Sequence, residues 1–258
     1  INWGRILPQV VYYISAYCDL VRDGAITMGD KVNFCVPTGN FGDILAAYYA
    51  KRMGLPVNKL ICASNSNNVL TDFLRTGIYD RNRPFYTTAS PSMDILISSN
   101  LERLLYLCSG GDTALVSSCM EALSRDGVYR VDGETLGRIR ALFSAGCCDE
   151  AGTGRSIGRV WREFGYLCDP HTAVAFSVAE DYKQSRSSKA PLVVLSTASP
   201  YKFPGAVLKA IGGETRGDEF EQMERLEALS GVPVPKNLAG LREKKALHHD
   251  LILSLIHI

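Results

Sequence analysis

The first candidate for chemistry is a glycine-containing loop within residues 31 to 49, KVNFCVPTGNFGDILAAYY. The apolar residues before it are typical of a buried strand, and Pro37 would end that strand because it has no N–H group to donate. The following TGNFG predicts a turn in which Gly39 and Gly42 take positive φ angles. Helical spacing begins at Asp43. Free N–H groups and the helix dipole would then point at the loop, which predicts a phosphate site; an ordinary βα turn is the alternative.

Polar side chains also follow two other predicted strands. Residues 64 to 68, SNSNN, follow a strand over residues 59 to 63, and residues 196 to 199 end a strand over residues 190 to 197. We interpret the first cluster as a helix N-cap series, although Asn65 could face a ligand. Because the carboxyl ends of parallel strands meet at one edge of a sheet, the glycine loop and both clusters are expected to share one pocket.

The spacing of apolar residues predicts the elements that position these segments. Helices are expected over residues 5–22, 43–53, 69–76, 100–107, 112–125, 134–142, 153–164, 172–182 and 218–229. Further strands are expected over residues 94–98 and 143–145. The Leu-Val-Val-Leu run in the last strand is typical of burial on both faces. Strands that alternate with helices predict an α/β fold around a parallel sheet.

Composition and charge argue against several classes of partner. Hydrophobic residues make up 46% of the 258 residues and charged residues 21%, as in ordinary soluble globular proteins. The net charge is +1 and no basic stripe is present, so neither nucleic acid nor a membrane surface is an expected partner. No apolar run approaches the length that spans a bilayer.

The eight cysteines are too sparse for a disulfide scaffold, and none forms a C-x-x-C pair. Five lie within apolar patterns and are interpreted as buried free thiols: Cys18, Cys35, Cys62, Cys108 and Cys119. This cysteine usage predicts a reduced, cytoplasmic protein.

The histidines offer little catalytic or metal chemistry. No G-x-S-x-G nucleophile motif is present. His248 and His249 lie in a charged terminal segment without partner ligands, so we interpret them as solvated and predict no metal site. His171 follows Asp169 at a predicted helix start, where a capping role is favoured, although a pocket at the strand ends could reach it.

The glycine loop matches neither the dinucleotide fingerprint nor the P-loop, so a small phosphate monoester fits it better than a pyrophosphate. Together with five other segments it resembles threonine synthase, a pyridoxal-phosphate (PLP) enzyme of fold type II, the fold of the tryptophan synthase β subunit. The similar segments are INWGR (1–5), VPTGNFGD (36–43), GLPV with ASN (54–57, 63–65), SMDI (92–95), DPHTAVA (169–175) and STASPYKF (196–203). Their order and spacing agree with the family up to about residue 245.

The resemblance implies a reaction and a set of site residues. O-phospho-L-homoserine and water would give L-threonine and phosphate, with PLP stabilising negative charge on the substrate carbons. The cofactor phosphate would be held by Gly39, Asn40, Phe41, Gly42 and Asp43, and the pyridine nitrogen by Thr197. Asn65 and His171 are the candidate substrate-binding residues.

Departures from the family pattern predict an incomplete chain. No lysine stands where the family has its Schiff-base lysine, which lies in an amino-terminal segment, so we expect a fragment that is inactive alone. Ser199 replaces a histidine found in many members. We expect residues 1–212 to be the carboxyl-terminal part of the catalytic region, residues 213–250 a charged helical segment, and residues 251–258 a non-native tail.

Two other interpretations remain open at this stage. Another fold-type-II enzyme, such as a threonine or serine dehydratase or a cysteine synthase, would have a more glycine-rich phosphate loop and would lack the DPHTAVA and S-x-M-D segments. A non-catalytic phosphate-binding module would account for the missing lysine.

Overall fold

The computed structural model describes residues 3 to 185, 189 to 245 and residue 247. Helices in these ranges are α1 (Trp3–Arg22), α2 (Gly42–Arg52), α3 (Val69–Thr76), α4 (Leu101–Cys108), α5 (Thr113–Asp126), α6 (Gly133–Leu142), α7 (Glu150–Phe164), α8 (Pro170–Ser185), α9 (Pro204–Ile211), α10 (Glu219–Ser230) and α11 (Lys236–Ala239). Strands are β1 (Val32–Pro37), β2 (Val57–Ser64), β3 (Ile78–Asp80), β4 (Val128–Arg130), β5 (Phe143–Cys147) and β6 (Leu192–Val194).

Four parallel strands form the central sheet in the order β5, β2, β1, β6. Phe34 of β1 pairs with Leu60 of β2 on one side and with Val193 of β6 on the other. Leu60 in turn pairs with Phe143 of β5. Helical segments connect these strands, as parallel pairing requires. The predicted α/β fold with a parallel sheet is confirmed.

Helices cover both faces of the sheet, which explains why β1 carries no exposed residue. Phe34 and Val36 belong to the core shared with α1 and α2. Cys35, between them, lies in a second core with Val174 and Val178 of α8. Because alternate side chains of a strand point to opposite faces, a central strand between two helical layers has no polar face.

A small antiparallel sheet that the sequence did not predict joins β3 and β4. Tyr79 pairs with Tyr129, and the two rings stack with their centroids 5.2 Å apart. Each strand has only three residues. Three residues are too few for a period of two to be recognised in a sequence.

The strand predicted over residues 94 to 98 is wrong. The segment follows a short 3-10 turn, Pro91–Met93, and runs on without pairing in either sheet. Asp94 is buried there, and its carboxylate accepts hydrogen bonds from the N–H and hydroxyl of Thr88. Side-chain hydrogen bonds to a buried carboxylate therefore take the place of a strand ladder.

The N-cap interpretation of residues 64 to 68 is right in position but not in its hydrogen bonding. Asn68 occupies the N-cap position of α3, but its side chain makes no capping hydrogen bond. Asn65 and Asn67 instead donate from their amides to the carboxylate of Asp94, at 2.7 and 3.0 Å. The cluster ties the end of β2 to the segment around Asp94.

The last strand differs from its prediction in length and burial. β6 covers three residues instead of the predicted eight and is half-buried. It lies at the edge of the sheet and pairs only with β1, so one side of it has no neighbouring strand within the described residues. Val193 and Leu195 pack against the core on one face of the sheet, and Leu192 and Val194 pack against the core on the other, so the apolar run reflects partial burial on both faces. The sequence also did not predict α9, which begins at Pro204.

The eight cysteines are free thiols, and four of the five that were interpreted as buried are buried. Cys18 is exposed on α1, so that part of the prediction is wrong. α1 is amphipathic, with Ile6, Val10, Tyr13 and Tyr17 on its buried face. The cytoplasmic location stays a prediction.

The helix α10 packs against α9, with Met223 and Leu226 in the same apolar cluster as Leu208. Its first turn is closed by a capping box between Asp218 and Glu221.

The division at residues 212 and 213 stays a prediction. No helix in the described ranges is long and apolar enough to cross a membrane. Outside the described residues lie His248, His249 and the predicted tail 251–258, which includes His257.

Candidate functional site

A cavity of about 290 Å³ lies at the carboxyl end of β1. Its lining includes the loop after β1 and the start of α2, together with Ser92, His171 and Thr197 from three other segments. Arg5 and Gln9 complete it from one face of α1. Segments distant in sequence therefore meet at this edge of the sheet, as in other parallel α/β folds.

Gly39 is required by close packing and not by its backbone angle. A Cβ atom on Gly39 would lie 2.4 Å from the carbonyl oxygen of Ser92 and 3.2 Å from Cα of Met93. The φ angles of Gly39 and Gly42 are not positive. The predicted positive-φ glycines are therefore wrong, and the glycine at position 39 instead lets the 92–93 peptide approach the loop.

The left-handed turn of the loop falls on Phe41, whose φ is 60° and ψ 11°. A positive φ is uncommon for a residue with a Cβ and is held by its surroundings. The Phe41 side chain is 1% exposed and packs against the ring of Phe143, with the centroids 5.7 Å apart. Burial of this ring holds the turn that leads into α2.

The carbonyl groups of the loop are bonded to the segment before α4. The hydroxyl of Ser98 donates to the carbonyl oxygen of Gly39 at 2.8 Å. The amide of Asn100 donates to the carbonyl oxygen of Asn40 at 2.7 Å. Within the described residues, no group accepts a hydrogen bond from the N–H groups of residues 39 to 43. The loop and the first turn of α2 therefore present unpaired donors, the arrangement that binds phosphate groups.

Asp43 adds a carboxyl group to the first turn of α2. The hydroxyl of Tyr13 donates to both the carbonyl oxygen and Oδ1 of Asp43, each at 2.9 Å, which joins α1 to α2. Burial raises the pKa of Asp43 to about 6, and the hydrogen bond from Tyr13 offsets part of that rise. The carboxyl group therefore takes up a proton as the pH falls through about 6 and is mostly ionised at pH 7.

His171 lies in the first turn of α8 and is 3% exposed. Its Nε2 accepts a hydrogen bond from the N–H of Ser92 at 3.2 Å, and its Nδ1 lies 2.8 Å from Oδ1 of Asp169. Since Nε2 accepts, the proton of a neutral ring is on Nδ1. Asp169 also accepts from the N–H of His171 at 2.8 Å, so the predicted capping role is present in the structure.

The cavity brings together Thr197, His171 and the predicted loop residues 39 to 43. Thr197 reaches it from the loop after β6, at the strand end next to that of β1. Asn65 is not part of its lining. The Asn65 amide is 1% exposed and donates to Asp94, Thr88 and Ser90. Its role in substrate binding stays a prediction.

Arg5, Gln9, Ser92 and Met93 line the cavity but were not predicted as site residues. Arg5 and Gln9 are four residues apart on α1 and therefore share one face of the helix. Arg5 and Ser92 both lie in segments that resemble the family, which is the signal that could have identified them. Arg5 supplies a positive charge beside the unpaired N–H groups.

Two larger grooves lie elsewhere on the surface. One, of about 1030 Å³, follows the outer edge of β5, and the other, of about 1010 Å³, lies between α7 and α9. Neither contains any residue of the loop from 38 to 42. Size therefore does not identify the candidate site, whereas the unpaired donors do.

Comparisons with known proteins show which proteins this chain resembles. The family model described as "Threonine synthase, C-terminal" matches residues 172 to 251. "Threonine synthase-like 1" of Pongo abelii is 48% identical over 82% of this chain and 28% of its own length. "Threonine synthase" of Pseudomonas aeruginosa is 41% identical over 96% of this chain and 51% of its own.

The structure agrees with the same family. A crystal structure of PLP-bound threonine synthase from Brucella melitensis superposes with a TM-score of 0.77 and 43% identity, covering 90% of this chain and 50% of the other. The chain thus spans about half the length, or less, of these relatives. By sequence and by fold, it is similar to threonine synthases over most of its length, and its carboxyl-terminal part matches the family model.

Proposed function

We propose that this chain is the carboxyl-terminal part of a PLP-dependent threonine synthase, a lyase of threonine biosynthesis. The complete enzyme would convert O-phospho-L-homoserine and water to L-threonine and phosphate. The observation that carries the proposal is the loop from Gly39 to Asp43, which lines a small cavity at a helix start and whose N–H groups have no hydrogen-bond partner within the described residues.

The residues of the cavity fit the phosphate group of PLP. The loop passes so close to the peptide after Ser92 that no Cβ fits at Gly39, so this path of the loop requires glycine. Residues 39 to 43 would donate N–H groups to the phosphate, and Arg5 would add a positive charge. Protonation of Asp43 below about pH 6 would reduce the repulsion between its carboxylate and an anion.

The remaining contacts concern the ring of the cofactor and the substrate. We assign Thr197 as the hydrogen-bonding partner of the pyridine nitrogen, because it is the hydroxyl side chain at the neighbouring strand end. When bound, PLP supplies electron withdrawal that stabilises negative charge on the substrate carbons. A neutral hydroxyl cannot hold the ring nitrogen protonated as a carboxylate would, which moderates that withdrawal and suits elimination.

We further propose that the chain alone binds the phosphate group but does not turn over substrate. No lysine is among the described residues that line the cavity. A lysine would therefore have to come from a segment outside this sequence, as the resemblance implies. Reading the gene upstream of Ile1 tests this point, because a complete gene without a lysine in an F-K-D-type segment would rule out catalysis by this polypeptide.

A binding experiment tests the phosphate site directly. Pyridoxine 5′-phosphate is the suitable probe, since it has the ring and phosphate of PLP but no aldehyde to react with surface lysines. We expect the chain to bind this probe and to bind pyridoxine, which has no phosphate, at least about tenfold more weakly. Calorimetric titration measures both affinities.

Two glycine variants provide the matched comparison. Gly39→Val should abolish the preference for the phosphorylated probe, because its side chain would enter the space of the 92–93 peptide. Gly137→Ala, in α6 with open space around the new Cβ, should bind as wild type. The phosphate site would be refuted if the wild type bound pyridoxine and pyridoxine 5′-phosphate equally well. It would also be refuted if Gly39→Val bound pyridoxine 5′-phosphate as tightly as the wild type does.

A further inference from the structure

The wall behind the phosphate loop is the peptide between Ser92 and Met93. Its carbonyl oxygen lies within 2.4 Å of where a Cβ of Gly39 would be, so the peptide is in direct contact with the Gly39 backbone. The hydroxyl of Ser98 donates a hydrogen bond to the carbonyl oxygen of Gly39 and also holds the loop. Any shift of the 92–93 peptide would therefore change the space at Gly39 and the direction of the loop's N–H groups.

Ser92, whose carbonyl group belongs to that peptide, is held in place by an imidazole through its N–H group. Ser92 lies in the middle of a 3-10 turn, where its N–H has no partner within the turn. That N–H donates to Nε2 of His171, 79 residues away in sequence, at 3.2 Å. The neighbouring N–H groups of Met93 and Asp94 bond to carbonyl oxygens of the turn itself. His171 thus supplies a hydrogen bond between this turn and α8, beside the apolar packing of Met93 with Val174 and Val178.

The imidazole is itself fixed on every side. Nδ1 lies 2.8 Å from Oδ1 of Asp169, a residue that is fully buried. The ring packs against Phe203, with the centroids 5.0 Å apart. Both ring nitrogens therefore have protein partners. A ligand in the cavity would meet a ring with no polar atom left to bind it, which argues against direct substrate binding by His171.

We propose that His171 is a positioning residue for the phosphate loop, acting through Ser92 on Gly39. Asp169 fixes the proton on Nδ1, Nε2 holds the Ser92 N–H, and the Ser92 peptide sets the position of the loop that takes a phosphate monoester. This role rests on the proposed phosphate site and replaces the substrate-binding role predicted from the sequence.

Two substitutions separate the two hydrogen bonds of the ring. His171→Asn keeps a donor near the position of Nδ1 for Asp169 but has no atom that reaches Ser92. His171→Gln places an acceptor oxygen near the position of Nε2 and retains the contact with Ser92. We expect the Asn variant to bind pyridoxine 5′-phosphate about tenfold more weakly than wild type and the Gln variant to stay within about threefold.

Binding of pyridoxine, which lacks the phosphate, should be the same in both variants and the wild type, because only the phosphate loop moves. Urea unfolding monitors the fold of each protein. If the Asn variant does not fold, His171→Ala with imidazole added to the solution takes its place, and restored binding is the expected result. Long-range proton–nitrogen NMR of the wild type should show Nδ1 protonated and Nε2 unprotonated.

The outcomes distinguish this role from the proposed function. The positioning role alone would be overturned if the wild type binds the phosphorylated probe and a folded Asn variant binds it equally well. It would also be overturned if the Gln variant binds the probe as weakly as the Asn variant. A protonated Nε2 would do the same. Wild type without any preference for the phosphorylated probe would overturn the phosphate site, and the role of His171 with it.

Discussion

The carboxyl group of Asp43 gives the folded protein an unusual dependence on pH. Burial raises its pKa from 3.8 to about 6, and the hydrogen bond from Tyr13 offsets only part of that rise. Between these values the folded chain holds a proton on Asp43 that the unfolded chain has lost. The contribution of Asp43 to stability is therefore fully present below about pH 4 and is lost as the pH rises through about 6.

The size of the effect follows from the two pKa values. A change from 3.8 to about 6 corresponds to about 3 kcal/mol between the protonated and ionised forms. Asp43 is half-buried, and it lies in the first turn of α2, where the helix dipole favours a carboxylate by about 0.5 to 1 kcal/mol. We therefore expect ionised Asp43 to destabilise the protein by about 2 kcal/mol at pH 7.

The substitution Asp43→Asn removes the charge while its amide oxygen can still accept from Tyr13. The variant should be about 2 kcal/mol more stable than wild type at pH 7 and equal to it near pH 4. Urea unfolding of both proteins in phosphate-free buffers between pH 4 and pH 8 measures this difference. Groups common to both proteins cancel in the subtraction.

Glu102→Gln is the matched control, because Glu102 is also in the first turn of a helix but is exposed. Loss of its favourable interaction with the dipole should lower stability by about 0.5 kcal/mol at pH 7, the opposite sign. The argument from burial would be refuted if the stability difference between wild type and Asp43→Asn did not change with pH. It would also be refuted if the variant were less stable than wild type at pH 7.

Two further substitutions test the cavity and the sheet. Thr197→Ala leaves the phosphate loop intact, so pyridoxine 5′-phosphate should bind within about threefold of wild type. In the complete enzyme, the rate of phosphate release from O-phospho-L-homoserine should fall. Turnover equal to that of wild type would remove Thr197 from the site. Gly146→Ala in β5 would place a Cβ 2.7 Å from Cγ1 of Val178 on α8 and should destabilise the protein by about 1 to 3 kcal/mol in urea unfolding. Gly137→Ala, with open space, should gain up to about 1 kcal/mol, and equal effects of the two would contradict the packing.

The sequence was sufficient where local pattern and tertiary environment agree. The helix predicted over residues 69 to 76 is α3, residue for residue. The buried strand that ends at Pro37 is β1, because its apolar residues face helices on both sides of the sheet. The cavity shared by the glycine loop and Thr197 also follows, since the carboxyl ends of β1 and β6 are adjacent. Residues 64 to 68, which were expected in the same pocket, do not line it.

Sequence reasoning failed where a distant contact decides the local conformation. The left-handed residue of the loop is Phe41, held by packing against Phe143, and the neighbouring glycines are not left-handed. The segment from Asp94 resembles a strand in its apolar pattern, but the burial of a hydrogen-bonded carboxylate determines its path. Neither effect leaves a periodic signal in the nearby residues.

The pairing of β6 with β1 has a consequence for the order in which the protein folds. Asn33 of β1 donates its side-chain amide to the carbonyl oxygen of Ala190, 157 residues later in the chain. The loop after β1 is encoded beside its own helix, whereas Thr197 reaches the cavity only after this long-range pairing has formed. Contacts between residues so far apart in sequence form slowly and late during folding. During synthesis, the phosphate loop would therefore exist as a half-built site until residues 190 to 197 have been made, open on the side that Thr197 later closes.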